Sequence, residues 1–152
     1  MCFEVIISTD YPNDLSIFDI TGVYFEKIDK HKTLKYPNHY RIATAYPKNC
    51  GCHFRIYDET TLIRDLEHNP NALQEWYCET DDENVINTRF LFQLIKNMVN
   101  QGYHFDSYVD DWDLVVLLDE PPSKCLDIDV NNIKNDDFLF YAGQYFNFKN
   151  NA

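Results

Sequence analysis

Glycine is scarce in this chain. There are four in 152 residues, Gly22, Gly51, Gly102 and Gly143, too few and too scattered for a Gly-rich phosphate loop. The chain also lacks a Gly-x-Ser-x-Gly nucleophile elbow and a His-Glu-x-x-His helix, so every strong enzyme signature that a sequence can be tested for is missing. Basic residues are few as well. Thirteen Lys and Arg against 25 Asp and Glu leave a formal charge of -12, and the averaged field repels phosphate backbones and anionic lipid. That disfavours nucleic acid and membrane surfaces as partners and favours a cationic protein or a divalent cation. No apolar run approaches the length of a membrane span, and Met1 to Glu4 lacks the basic start of a secretory signal. Cytoplasmic residence is the expectation. The five cysteines, Cys2, Cys50, Cys52, Cys78 and Cys125, are odd in number and show neither disulfide-framework nor zinc-ribbon spacing, which predicts reduced thiols. With no repeat, linker or low-complexity segment, residues 1–152 read as one domain.

Aromatic residues, in contrast, are plentiful. They make up 16% of the chain, with 11 Tyr and 11 Phe, a composition that suits a β-rich or mixed fold with a sizeable core. Cys2 to Ser8 reads as a first strand closed by turn residues, Asp14 to Phe18 as a short helical turn, and Gly22 to Ile28 as a second strand before a polar, basic loop from Lys27 to Lys35. The stretch from Tyr40 to Asp58 holds two alternating runs. Ile42, Thr44 and Tyr46 share one face of the first, and Cys50, Cys52, Phe54 and Ile56 one face of the second, opposite His53, Arg55 and Tyr57. Pro47, Lys48, Asn49 and Gly51 between them predict a hairpin. Glu59 to Glu67 fits a short helix or an irregular excursion.

The periodicity predicts one long helix over about residues 80–101. Thr80 and Glu83 form a capping box and Gly102 closes the end. Ile86, Phe90, Leu91, Leu94, Ile95 and Met98 supply its expected apolar stripe, and Arg89, Gln93, Lys96 and Asn100 its wet face. Phe90 and Leu94 lie near the middle of that stripe. Further strands are expected at His104 to Val109, Leu114 to Leu118 and Leu126 to Val130, followed by an aromatic run from Phe138 to Phe148 that bends at Gly143. The fold class is α+β, a mostly antiparallel sheet packed on the one long helix.

The opening MCFEVIISTDYPNDL and the later YPKNCGCHFR resemble a family of small uncharacterised bacterial proteins with an ISTD-type N-terminus and a Cys-x-Cys-x-Phe-Arg segment. The resemblance covers roughly the first 60 residues and brings no activity with it.

Two constellations carry possible metal chemistry. Cys50, Cys52 and His53 offer the ligand types of zinc, but Cys-x-Cys in a strand puts both thiols on one face and His53 on the other, so a buried apolar role for the thiols is preferred. Asp106, Asp110, Asp111 and Asp113 surround Trp112 without the EF-hand order of ligands or its Gly, so a solvated turn or docking surface is preferred. The aromatic residues Trp76, Tyr77 and Trp112 beside acidic runs, with Asp110, Asp111 and Asp113, have the composition of a protein-binding hot spot. The leading expectation is thus a non-enzymatic acidic protein-binding module without a cofactor, of the type of an immunity protein or an inhibitor that neutralises a basic toxin or enzyme. The alternative is a metal-binding protein or metal-dependent enzyme that uses zinc at Cys50, Cys52 and His53 or a cation at the Asp106 to Asp113 cluster.

Overall fold

The computed structural model describes residues 3–17, 23–44, 54–58, 82–111 and 125–151. Within them the strands are β1 (Phe3–Thr9), β2 (Val23–Lys27), β3 (Asn38–Thr44), β4 (Ile56–Asp58), β5 (Phe105–Asp111), β6 (Cys125–Asp129), β7 (Phe140–Ala142) and β8 (Tyr145–Lys149). One α-helix, α1 (Asp82–Asn100), stands between β4 and β5, and 3-10 turns form at Leu15–Ile17 and Asn135–Asp137. The architecture is α+β. Six strands make one sheet in the order β2-β3-β1-β5-β8-β6, antiparallel throughout except where β6 runs parallel to β8.

The two runs expected to pair as a hairpin between Tyr40 and Asp58 do not pair in their described parts; residues 45–53 lie outside the described residues. β3 already has β1 on one edge and β2 on the other, while β4 leaves the sheet and pairs in parallel with β7, Ile56 opposite Phe140. Alternation tells which side chains share a face, but it does not name the partner strand. Phe54 is buried as expected, yet Arg55 is buried beside it. Its backbone amide donates to Thr88 Oγ1 at 2.8 Å and its carbonyl accepts from Phe140 N at 2.8 Å, so the residue is built into the junction of α1 with the small sheet. The aromatic run from Phe138 to Phe148 is likewise divided. Gly143, at φ 73°, donates its amide to the Val109 carbonyl at 2.8 Å and turns the chain from β7 into β8.

One face of the large sheet carries Val5, Ile7, Phe25, Ile42, Phe105, Val109, Phe146 and Phe148, and α1 packs there through Leu91, Phe92, Ile95, Met98 and Val99. Phe92 is fully buried and stacks on Phe138 with ring centroids 4.5 Å apart. Phe90 and Ile86, expected in the apolar stripe, are instead 44% and 41% exposed. The buried face is centred about 80° round the helix from the expected one, at 100° per residue. Apolar residues occur on both sides of α1, and two polar residues, Asn87 and Thr88, are buried. Thr88 meets that position because its hydroxyl donates to the Asn84 carbonyl at 2.8 Å and accepts from Arg55 N. The expected close of the helix is found. Gly102, at φ 100°, donates to the Val99 carbonyl at 3.0 Å and Tyr103 to the Met98 carbonyl at 3.1 Å, the paired bonds of a Schellman ending. The Thr80–Glu83 capping box, the Glu59 to Glu67 segment and the Leu114 to Leu118 run lie outside the described residues and side chains.

Candidate functional site

The face of the sheet opposite α1 is polar, because strand alternation sends the residues between the core positions to it. Ladder register sets Ser8 between His39 on β3 and Asp106 on β5, and extends that row to Asn147 on β8 and Asp127 on β6. A neighbouring row runs from Glu26 through Arg41, Ile6, Tyr108 and Tyr145 to Cys125. The basic loop between β2 and β3 lies across these rows. Its Leu34 packs with Ile6, Tyr108 and Tyr145 in a small second core, and the Lys35 ammonium stands 5.1 Å from the Tyr145 ring centroid.

Asp106 is the hub of this face. It is fully buried. Its Oδ1 accepts from Ser8 N at 3.1 Å and, in a short contact, from the Ser8 hydroxyl; its Oδ2 accepts from Lys35 N at 2.8 Å and from the Tyr145 hydroxyl at 2.6 Å. The Ser8 hydroxyl in turn accepts from Tyr36 N at 3.0 Å. A buried carboxylate is tolerated when donors of this kind compensate for lost water. Burial, and then the hydrogen bond to Asp106, push ionisation of the Tyr145 phenol far above its usual range, so it remains a donor.

Ser8, His39 and Asp106 are the residue types of a nucleophilic triad, but their bonding is different. His39 Nδ1 accepts from His31 N at 2.9 Å, so the ring proton sits on Nε2, which faces the Tyr36 carbonyl at 2.6 Å. Both nitrogens are thus engaged by the loop backbone, and Asp106 bonds Ser8 directly. The arrangement clamps the loop to three strands. The His39 ring faces the loop backbone and not the serine hydroxyl.

A second polar group lies at one end of the sheet. Asp10 Oδ1 accepts from His104 N at 2.8 Å, and Oδ2 meets His104 Nδ1 at 2.6 Å. Burial works against the Asp10 charge, but the bonds from the His104 backbone and ring prevail and hold its pKa below the usual carboxylate value. The His104 ring lies 5.4 Å from Tyr36, tilted by 31°. These two residues border a cleft of about 460 Å³ between the C-terminal turn of α1 and the end of β8. Burial, followed by the charge of Asp106, raises the Tyr36 pKa, and its hydroxyl donates to Asn147 Oδ1 at 3.0 Å.

Of the residues singled out from the sequence, Asp110 and Asp111 lie at the end of β5, opposite Glu4 and Phe3 of β1. Trp76, Tyr77, Trp112, Asp113, Cys50, Cys52 and His53 lie outside the described residues. Asp106 does not join an acidic cluster with Asp110. Four residues along one strand separate their backbones by about 13 Å, and the Asp106 oxygens are filled by donors that a cation would have to displace. Among the described residues, no group of three or more His, Cys, Asp or Glu is arranged to hold a metal ion. No helix among them is long and apolar enough to cross a membrane. The sequence reasoning passed over Asp10, Tyr36 and His104. Nothing local announces them, since they meet only through folding; a signal for Asp106 did exist, as a carboxylate inside an expected strand, between Phe105 and Ser107. No protein-family model, curated protein or solved structure matches the chain.

Proposed function

We propose that this protein is a non-enzymatic binding module that uses an acidic surface to hold a cationic protein, in the manner of an immunity protein neutralising a basic toxin or enzyme. The observation that carries this reading is the acidic end of the polar face. Glu26 and Glu4 flank Arg41, whose Nε lies 3.1 Å from Glu26 Oε2 and 3.5 Å from Glu4 Oε1. Asp110 stands opposite Glu4 in the ladder, at a position of the same face, and Asp111 follows it at the end of β5. Two carboxylates on one guanidinium, with Asp110 at the ladder position beside Glu4, give this end of the sheet more acidic positions than basic ones, and the chain's overall -12 reinforces the sign. Such a field speeds encounter with a basic surface and rejects acidic ones.

Affinity capture from native cell extract tests the reading, with the parent protein and an Asp110→Lys, Asp111→Lys double variant. A basic protein should be retained by the parent at low salt, released as salt rises, lost with the double variant, and inhibited in its own activity when the parent is added back. Capture indifferent to the charge reversal, or a retained partner that is itself acidic, would overturn it.

A further inference from the structure

We propose that the cleft between Tyr36, the C-terminal turn of α1 and the end of β8 is a binding site for a neutral, polyhydroxylated ring, a saccharide unit. Its volume of about 460 Å³ is that of a small-ligand pocket. The walls are chemically divided. Val99 and Phe148, both core residues, form an apolar floor. Tyr36 and Tyr103 contribute aromatic surface, and the tilted His104 ring widens that of Tyr36. Asn100, Asn147 and Asn150 bring side-chain amides to the same cleft.

The charges decide the class of ligand. His104 is paired with Asp10 at 2.6 Å and Lys149 with Asp127 at 2.8 Å, so the imidazole and the ammonium on the cleft each already face a carboxylate. An anion would compete with an intramolecular partner at both, and among the described residues no carboxylate lines the cleft to hold a cation. Amides that both donate and accept suit hydroxyl groups, which do the same. The C–H face of a sugar ring supplies the apolar surface that aromatic side chains cover. The amides are also held in place. Asn100 and Asn131 exchange bonds of 3.1 and 3.0 Å, Asn131 reaches Asn150 Oδ1 at 3.0 Å, and Asn147 is fixed by the Tyr36 hydroxyl. Preorganised partners of this kind lower the entropy cost of binding a flexible polyol.

The experiment is an amide-resolved NMR titration of the full chain with glucose, galactose, N-acetylglucosamine and cellobiose, and with inorganic phosphate as the charged counterpart. At least one sugar should give saturable shifts concentrated at Tyr36, Tyr103, His104 and Asn147. An Asn100→Ala, Asn150→Ala double variant should bind that sugar about tenfold more weakly while its remaining spectrum is unchanged. Asn150→Ala alone, at an exposed position, should give a smaller loss and serves if the double variant does not fold. The proposal is overturned if none of the sugars shifts these signals saturably, if the shifts fall elsewhere, if phosphate moves the cleft signals and the sugars do not, or if removing the amides leaves affinity unchanged.

Discussion

Tyr145 on β8 donates its hydroxyl to Asp106 on β5 at 2.6 Å, and both side chains are buried. This bond joins neighbouring strands on the polar face at the point where the loop between β2 and β3 also attaches, through Lys35 N. Asp106→Ala strands several buried donors and should cost roughly 2 to 4 kcal/mol, whereas Tyr145→Phe removes one donor and should cost about 1 to 2 kcal/mol. Urea unfolding of the two variants measures the order. If Tyr145→Phe proved the more damaging, Asp106 would not be the hub.

The same bond predicts behaviour in alkali. The Tyr145 pKa is raised on folding from its usual value near 10.0 by burial and then by Asp106. The unfolded chain therefore gives up this proton first, and the stabilisation, fully present below pH 10, is lost as pH rises beyond it. Melting temperature should fall above pH 10. The fall should be shallower in Tyr145→Phe, and an unchanged slope would remove this phenol from the account.

In acid the sign reverses. Asp10 has a lowered pKa in the fold, because bonds from His104 outweigh burial, so its contribution is present above the ordinary carboxylate value and fades as pH falls through the folded one. Asp10→Asn should be less stable than the parent at neutral pH and converge with it at low pH. Parallel stability curves would show that the Asp10 carboxylate does not supply this pH-dependent stability.

On α1, Phe92→Ala should cost about 3 to 5 kcal/mol through lost burial and a residual cavity. Phe90→Ala, on the exposed side, should stay within roughly 0.5 kcal/mol of the parent. Thermal melts of the pair locate the buried face of the helix directly.

Gly102 ends α1 at φ 100° with open space where a Cβ would stand. Any cost of Gly102→Ala is thus conformational rather than steric crowding, about 1 kcal/mol. Gly102→Asn should cost less, since Asn tolerates this region better.

The strands, the long helix and its glycine ending were legible in the sequence because alternation, helical period and turn chemistry are local. Pairing was not. Nothing within Tyr40 to Asp58 says that β3 is already flanked on both edges or that β4 belongs with β7. The helix face was half legible: Leu91, Ile95 and Met98 are buried as expected, but Phe90 and Phe92 compete for the same role, and only the stacking of Phe92 on Phe138 decides between them. The Asp106 hub and the His104–Asp10 pair join residues 98 and 94 positions apart, beyond the reach of any spacing rule.

β1 sits between β3 and β5, with Val5 opposite Ile42 on one side and Val109 on the other. During synthesis the first of these pairings becomes available long before the second. A nascent chain that has made β2, β3 and β1 would hold a three-stranded sheet whose open edge is the apolar FEVIIST segment until β5 leaves the ribosome. An open, β-branched edge of that kind recruits other strands. Chains interrupted between residues 44 and 105 should therefore be the aggregating species of this protein, and a chaperone that covers strand edges should matter most to it in that interval.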